Sequence, residues 1–258
     1  YALLLMIAVG LVACGSDQDD DLIVYRHALD GMPNSLDPVH SSTLYSNHMV
    51  LNLYDTLYAY QYLARPYQLK PNLAVAMPQV SDDGLTYRFE IKSGVHFVDD
   101  EIFPDGIGRE LVAQDFLYSL MRHFDPASRS QGAWLWQGLI QGMDAWGQGG
   151  ADYDAPPSGL SVIDRYRFAI TLTKPYPQFI HTLALGASAI VPREAVEGYG
   201  VEFGVRPVGS GPFQLQRFNS VKAVLDRNPK FRQEPFDLMA EGYDPATQSE
   251  YGLETLQG

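Results

Sequence analysis

Chemistry at a protein site needs nucleophiles, bases or metal ligands that converge, so the residues capable of it come first. The six histidines stand at 27, 40, 48, 96, 123 and 181. No two of them have the H-x-x-x-H or H-x-x-E-H spacing that sets zinc ligands on one helix face. His40 and His48 can approach each other near a helix start, but a pair alone makes no metal site, and none is expected. No serine lies in G-x-S-x-G. Gly209-Ser210-Gly211 runs into Pro212, which suits a tight crossing of two segments better than a strained nucleophile elbow. Asp17 to Asp21 lacks the Gly and Glu of a calcium loop, and adjacent carboxylates such as Asp82 and Asp83 diverge on a turn. The residues therefore point to a binder that is not an enzyme and needs no cofactor.

The single cysteine, Cys14, has a different chemistry. It closes the uncharged run YALLLMIAVGLV, Tyr1 to Val12, after which the sequence turns polar and acidic. A helix of that length spans only about 18 Å, against a hydrocarbon core of roughly 30 Å. The run fits the apolar region of a secretory signal. Leu11, Val12, Ala13 and Cys14 resemble the bacterial lipobox, which implies that Cys14 is lipidated and becomes the first mature residue. Residues 1–13 then read as a signal peptide lacking its start, and 14–21 as a lipid-anchored tether. With no second cysteine, no disulfide is expected.

Composition supports an exported, folded chain. Of 258 residues, 46% are hydrophobic and 19% charged, enough for a sizeable core. The net charge of −13, without any run of Lys or Arg, excludes nucleic acid and an anionic lipid surface as partners. Tyrosine is abundant, with 16 copies, and suits clefts that must be both greasy and polar.

The elements that position these residues follow from pattern. Leu22 to Leu29 reads as a first strand, ended by the turn chemistry of Asp30 to Pro38. From Ser41 to Leu57 apolar residues recur at helical spacing, with Ser41 or Ser42 as the cap. Leu85 to Lys92 alternates strictly and turns at Ser93-Gly94 into Val95 to Val98, predicting a β-meander. Ala113 to Phe124 predicts an amphipathic helix stopped by Asp125-Pro126. Gly147 to Gly159 reads as a loop, Tyr166 to Leu172 as a strand, and Arg193 to Glu197 as a short helix. Phe213 to Phe218 and Val221 to Asp226 form a hairpin about Asn219-Ser220. From Gln233 onward the sequence is polar and weakly patterned, as expected of a fragment's end.

Several collinear stretches resemble the extracytoplasmic solute-binding proteins of ABC importers, in the oligopeptide- and dipeptide-binding class, solute-binding protein family 5. They are SLDP at 35–38, YDTL at 54–57, SDDGLTYRFEIKSGVHF at 81–97, VGSGPFQL at 208–215 and DRNPKF at 226–231. The resemblance implies a mixed α/β fold of two lobes about a cleft, with an additional domain on the first lobe. Here 22–54 and 193–258 would be an incomplete lobe one, 55–192 the inserted β-rich domain, and the second lobe would be absent. Asp99-Asp100 and the loop Glu101 to Glu110 depart from the family's pattern.

The implied function is capture of peptides by a periplasmic or cell-surface monomer, tethered to the membrane and serving an ABC permease and its ATPase. A solute-binding sensor, a chaperone-like lipoprotein and an exported hydrolase are the alternatives. Nickel chelates, haem, sugars and opines are alternative solutes. The resemblance places the ligand contacts at Ser41, Ser42, Thr43 and Leu44, with Trp134 or Trp136 offered from the inserted domain. Those tryptophans are two apart, so they would share a face on a strand and diverge on a helix.

Overall fold

The computed structural model describes residues 23–249, so the signal peptide, Cys14 and the tether lie outside the described residues. Of the described residues, 23–30 belong to one unit and 31–249 to a second. In the first, 23–29 carry no strand, and Ile23 and Tyr25 are exposed at 101% and 86%. The predicted first strand is therefore corrected. A strand exists through a hydrogen-bonded neighbour, and no sheet among the described residues includes this segment.

The second unit interleaves helices and antiparallel strands. A 3₁₀ turn, Pro38–His40, leads into α1 (Leu44–Leu53). Strands β1 (Tyr58–Tyr60) and β2 (Leu69–Pro71) pair with each other, followed by β3 (Gln79–Val80) and β4 (Thr86–Glu90). Helices α2 (Ala113–Met121) and α3 (Met143–Gln148) come next, then β5 (Leu160–Val162) and β6 (Arg167–Thr171). The chain continues through α4 (Phe179–Thr182), α5 (Arg193–Tyr199), the hairpin β7 (Phe213–Phe218) and β8 (Ala223–Arg227), and α6 (Pro245–Gln248).

The main sheet has the order β3-β4-β6-β5. Alternation in β4 does what period two requires: Tyr87 and Phe89 are buried, opposite Ile170 and Phe168. Phe89 stacks on Phe168 with centroids 5.1 Å apart, and Phe116 of α2 covers the other side of Phe168 at 4.8 Å. The predicted meander is not formed. Residues 95–97 pair instead with 109–111, through Phe97 N to Arg109 O (3.0 Å) and Leu111 N to Val95 O (2.8 Å). The loop Glu101 to Glu110 brings this partner back, so the chain pairs with itself there rather than with β4.

The end of α1 is fixed by a close crossing. Gly211 N donates to Leu53 O at 3.1 Å, and a Cβ on Gly209 would lie 2.0 Å from that oxygen. The triplet at 209–211 is thus a crossing point, as its sequence implies. Between its glycines, Ser210 Oγ donates to buried Asp55 at 2.9 Å. Asp55 also receives Arg232 Nη1 and Nη2 at 2.8 and 3.0 Å, joining YDTL to the chain beyond β8.

The C-terminal stretch is better organised than its sequence suggests. Leu238 and Tyr243 are buried, Leu63 N donates to Glu241 O (2.8 Å), and Lys70 pairs with the Glu241 carboxylate.

Candidate functional site

The segment after SLDP is set by Asp37. Buried to 5% exposure, its carboxylate receives Arg122 Nη1 at 2.9 Å and Nη2 at 2.7 Å, a bidentate pair between the end of α2 and the start of the 3₁₀ turn. The same carboxylate accepts from Val39 N at 3.3 Å and so caps that turn. Burial favours neutral Arg122, but the hydrogen bonds and charge of Asp37 win and raise its pKa.

From the turn the chain passes through Ser41, Ser42 and Thr43 into α1. Thr43, with extended φ/ψ, caps the helix: its Oγ1 accepts from Ser46 N at 3.0 Å. The expectation of a cap at Ser41 or Ser42 is corrected to Thr43, one residue beyond the second of them. Ser41 N and Ser42 N already donate to Pro38 O and His40 O, which holds both residues in the turn ahead of the helix. Leu44 stands 77% exposed, and Ser42 is exposed as well. Ser41 Oγ is buried without a hydrogen-bond partner among the described residues.

The loop after α2 lies along this segment. Gln131 N donates to Val39 O at 2.8 Å, and His40 Nε2 donates to Ser128 O at 2.8 Å. Its base is held by His123. Nε2 donates to Ala187 O at 2.7 Å, so Nδ1 of the neutral ring accepts from Ser130 Oγ at 2.6 Å. Trp136 meets the His123 ring edge-on at 4.9 Å, and Gly132 leaves just enough room, since a Cβ there would lie 3.0 Å from the ring. Burial pushes the His123 pKa down to about 4.

The two tryptophans diverge because 133–135 form a 3₁₀ turn. Trp134 is 71% exposed and Trp136 is fully buried. Trp136 Nε1 donates to Thr182 Oγ1 at 2.8 Å, so as a ligand contact it is corrected to a core residue that anchors the loop to α4. The structure thus bonds Val39 and His40, immediately ahead of Ser41, Ser42, Thr43 and Leu44, to the loop that carries Trp134. Sequence reasoning missed His123, the Asp37–Arg122 pair and Arg129. The pair spans 85 positions and leaves no local pattern.

A cavity of about 490 Å³ lies elsewhere, between α2 and α5, and it is crowded with charge. Its guanidinium groups are already matched: Arg109 by Asp115 and Glu194, Arg165 by Glu110, Arg193 by Glu197 and Asp154. Arg165 leads the groups that hold Glu110 down to about 2. Such a network braces α2 against α5 and offers a solute little unmet charge.

Comparison with known proteins adds to this geometry. The model of "Bacterial extracellular solute-binding proteins, family 5 Middle" matches residues 68–240. The glutathione-binding protein GsiB of Escherichia coli O157:H7 is 29% identical over 218 residues, covering 84% of this chain and 36% of that protein. Among solved structures, the pheromone receptor PrgZ, described with its mode of peptide binding, superposes with a TM-score of 0.65 at 27% identity. That match covers 78% of this chain and 38% of PrgZ. The substrate-binding domain of an oligopeptide ABC transporter from Bacillus anthracis str. Ames gives 0.69 at 19% identity, over 80% of this chain and 38% of that one, a likeness of fold.

Proposed function

Because this chain belongs to family 5 of the bacterial extracellular solute-binding proteins, we propose that it is part of a receptor that captures peptides outside the cytoplasmic membrane for an ABC permease and its ATPase. The observation that carries this reading is that the chain just ahead of 41–44 is bonded to the loop that carries Trp134, through the Gln131–Val39 and His40–Ser128 hydrogen bonds. A peptide on the proposed face meets chain that is not yet helical, an unpartnered Ser41 hydroxyl, and apolar surface from Leu44 and Trp134. Main-chain contact with apolar anchoring tolerates many side chains. Glutathione, which the GsiB name says that protein binds, is itself a small peptide and falls within the class.

In the proposed receptor, 22–54 and 193–258 contribute to lobe one and 55–192 form the inserted domain. Cys14 carries the lipid that keeps capture beside the permease. Metabolic labelling with a fatty acid tests the anchor: the label is expected on the wild type and lost in Cys14→Ser. Among the described residues no helix is long and apolar enough to cross a membrane.

Mass spectrometry of solute co-purified with the full-length gene product tests the function. Peptides are expected, and a product that carries only sugars or metal chelates refutes the reading. By calorimetry, Trp134→Ala should weaken peptide binding about 10-fold, the scale of an aromatic anchor, without lowering the melting temperature. Unchanged affinity removes Trp134 from the site.

A further inference from the structure

The loop that carries Trp134 also carries Arg129, and three observations single it out. First, its backbone is left-handed, with φ 49° and ψ 42°, a conformation that glycine or asparagine adopts far more readily than arginine. Keeping a side chain there costs stability, because its Cβ crowds the following carbonyl oxygen. Strain retained by a non-glycine residue beside a binding face is an observation from which function can be argued.

Second, Arg129 is an exposed cation that no ion pair or side-chain hydrogen bond engages among the described residues, in a chain of net charge −13. Other guanidinium groups are paired, Arg122 with Asp37 and Arg193 with both Glu197 and Asp154, while exposed Arg88, Arg217 and Arg227 stand without such partners among the described residues, so it is the coincidence with the other two features that marks Arg129. Two carboxylates of the segments flanking the loop are engaged elsewhere. Asp125 accepts from Tyr153 Oη at 2.9 Å and from Ala127 N at 2.8 Å, and Asp37 is closed by Arg122.

Third, the position is fixed rather than loose. Ser128 O, one residue before, accepts from His40, and Gln131 N, two residues after, donates to Val39 O. Arg129 therefore stands next to the segment that runs into Ser41 and Leu44, on the same loop as Trp134.

We propose that Arg129 is a specificity residue of the solute site and that it takes a carboxylate of the bound peptide, from the C-terminus or from an acidic side chain. The proposal rests on the peptide-capture reading and names the chemistry that this face selects. A guanidinium presents a planar fork that matches a carboxylate through two parallel hydrogen bonds, whereas lysine offers a point charge. The left-handed backbone then has a use, since it directs the loop without giving up the side chain that glycine would lack.

The experiment uses the full-length product and four probes: a short peptide, its C-terminal amide, and the Glu and Gln versions of one internal position. Wild type, Arg129→Gln, Arg129→Lys and Arg129→Gly are compared by calorimetry and thermal melting. Arg129→Gln is expected to lose roughly 10-fold in affinity for the probe whose carboxylate is recognised and to match wild type on its neutral counterpart, with Arg129→Lys between. The amide and the Gln probe identify which carboxylate is held. Arg129→Gly should melt at or above the wild-type temperature while losing the same selectivity, the signature of a strained residue kept for function. If wild type binds the peptides and Arg129→Gln binds all four probes as wild type does, the role of Arg129 is overturned and peptide capture stands. If wild type binds none of them, peptide capture fails and this proposal with it.

Discussion

His123 makes acid stability a direct test of how the Trp134 loop is held. The ring lies between Ser130 and Ala187 with its Nδ1 as an acceptor, an arrangement that exists only in the neutral imidazole. Burial is the largest cause of its lowered pKa. Arg122 and His40 push the same way, while the Ala187 carbonyl and Asp37 oppose them. The folded pKa of about 4 lies below the ordinary 6.5, so between those values the unfolded chain binds a proton that the fold refuses. Stability therefore falls as pH drops from 6.5 and levels off below 4. The gap corresponds to about 3 kcal/mol, a large share of the 5–15 kcal/mol typical of a folded domain.

The assay is urea unfolding of wild type and His123→Gln at intervals from pH 7.5 to pH 4. Carboxylates titrate in both proteins and cancel in the difference. At pH 7.5 the variant should be less stable by about 1 to 3 kcal/mol, because the Ser130 hydroxyl loses its acceptor. By pH 4 that advantage of the wild type should be gone or reversed, the difference having moved by about 3 kcal/mol. Protection factors of the amides across 128–135, the intrinsic rate divided by the observed rate at each pH, should fall over the same interval in wild type alone. Parallel stability curves for the two proteins would refute the account of His123 as a buried neutral clasp.

Other interactions give sharper, simpler tests. Asp37→Ala leaves Arg122 buried and unpaired and should cost about 3–5 kcal/mol in urea unfolding, whereas the double change Asp37→Leu with Arg122→Leu should recover most of it. A single variant no less stable than wild type contradicts the buried pair. Gly209→Ala drives a Cβ to 2.0 Å from Leu53 O, so the end of α1 must shift. A loss of about 1–3 kcal/mol is expected by thermal melting, and an unchanged melting temperature argues against the close crossing. Asp55→Asn removes the charge that Arg232 and Ser210 share and should loosen the chain beyond β8, seen as faster proteolysis within 228–249; an unchanged cleavage pattern counts against that anchor.

What the sequence made legible was local. The alternation of Leu85 to Lys92 forced one face inward because Tyr87 and Phe89 had to leave water together, and β4 formed there. Helix α2 was readable for the same reason at period 3.6. Where pairing partners decide the outcome, pattern alone misled: 95–97 alternates with the meander but bonds to 109–111, and 23–29 is strand-like yet has no neighbour in any described sheet. Two residues apart, the tryptophans share a face or diverge according to the backbone between them, and the 3₁₀ turn at 133–135 separates them.

The same division runs through the candidate site and bears on how SLDP works. In the proposed receptor the motif precedes the solute contacts, which invites reading its aspartate as one of them. Yet Asp37 has both oxygens on Arg122 and one of them on the turn as well, so it has little capacity left for a solute. Its effect is on direction. By pinning the turn to the end of α2 it fixes where Ser41 emerges, and through His40 and Val39 it fixes the loop that holds Arg129 and Trp134. Losing Asp37 should therefore displace both halves of the face at once. In Asp37→Asn, which keeps the shape and half of the hydrogen bonding, peptide affinity should fall further than the change at any single face residue accounts for. Binding that survives while stability falls would separate the two roles and leave the motif a purely structural one.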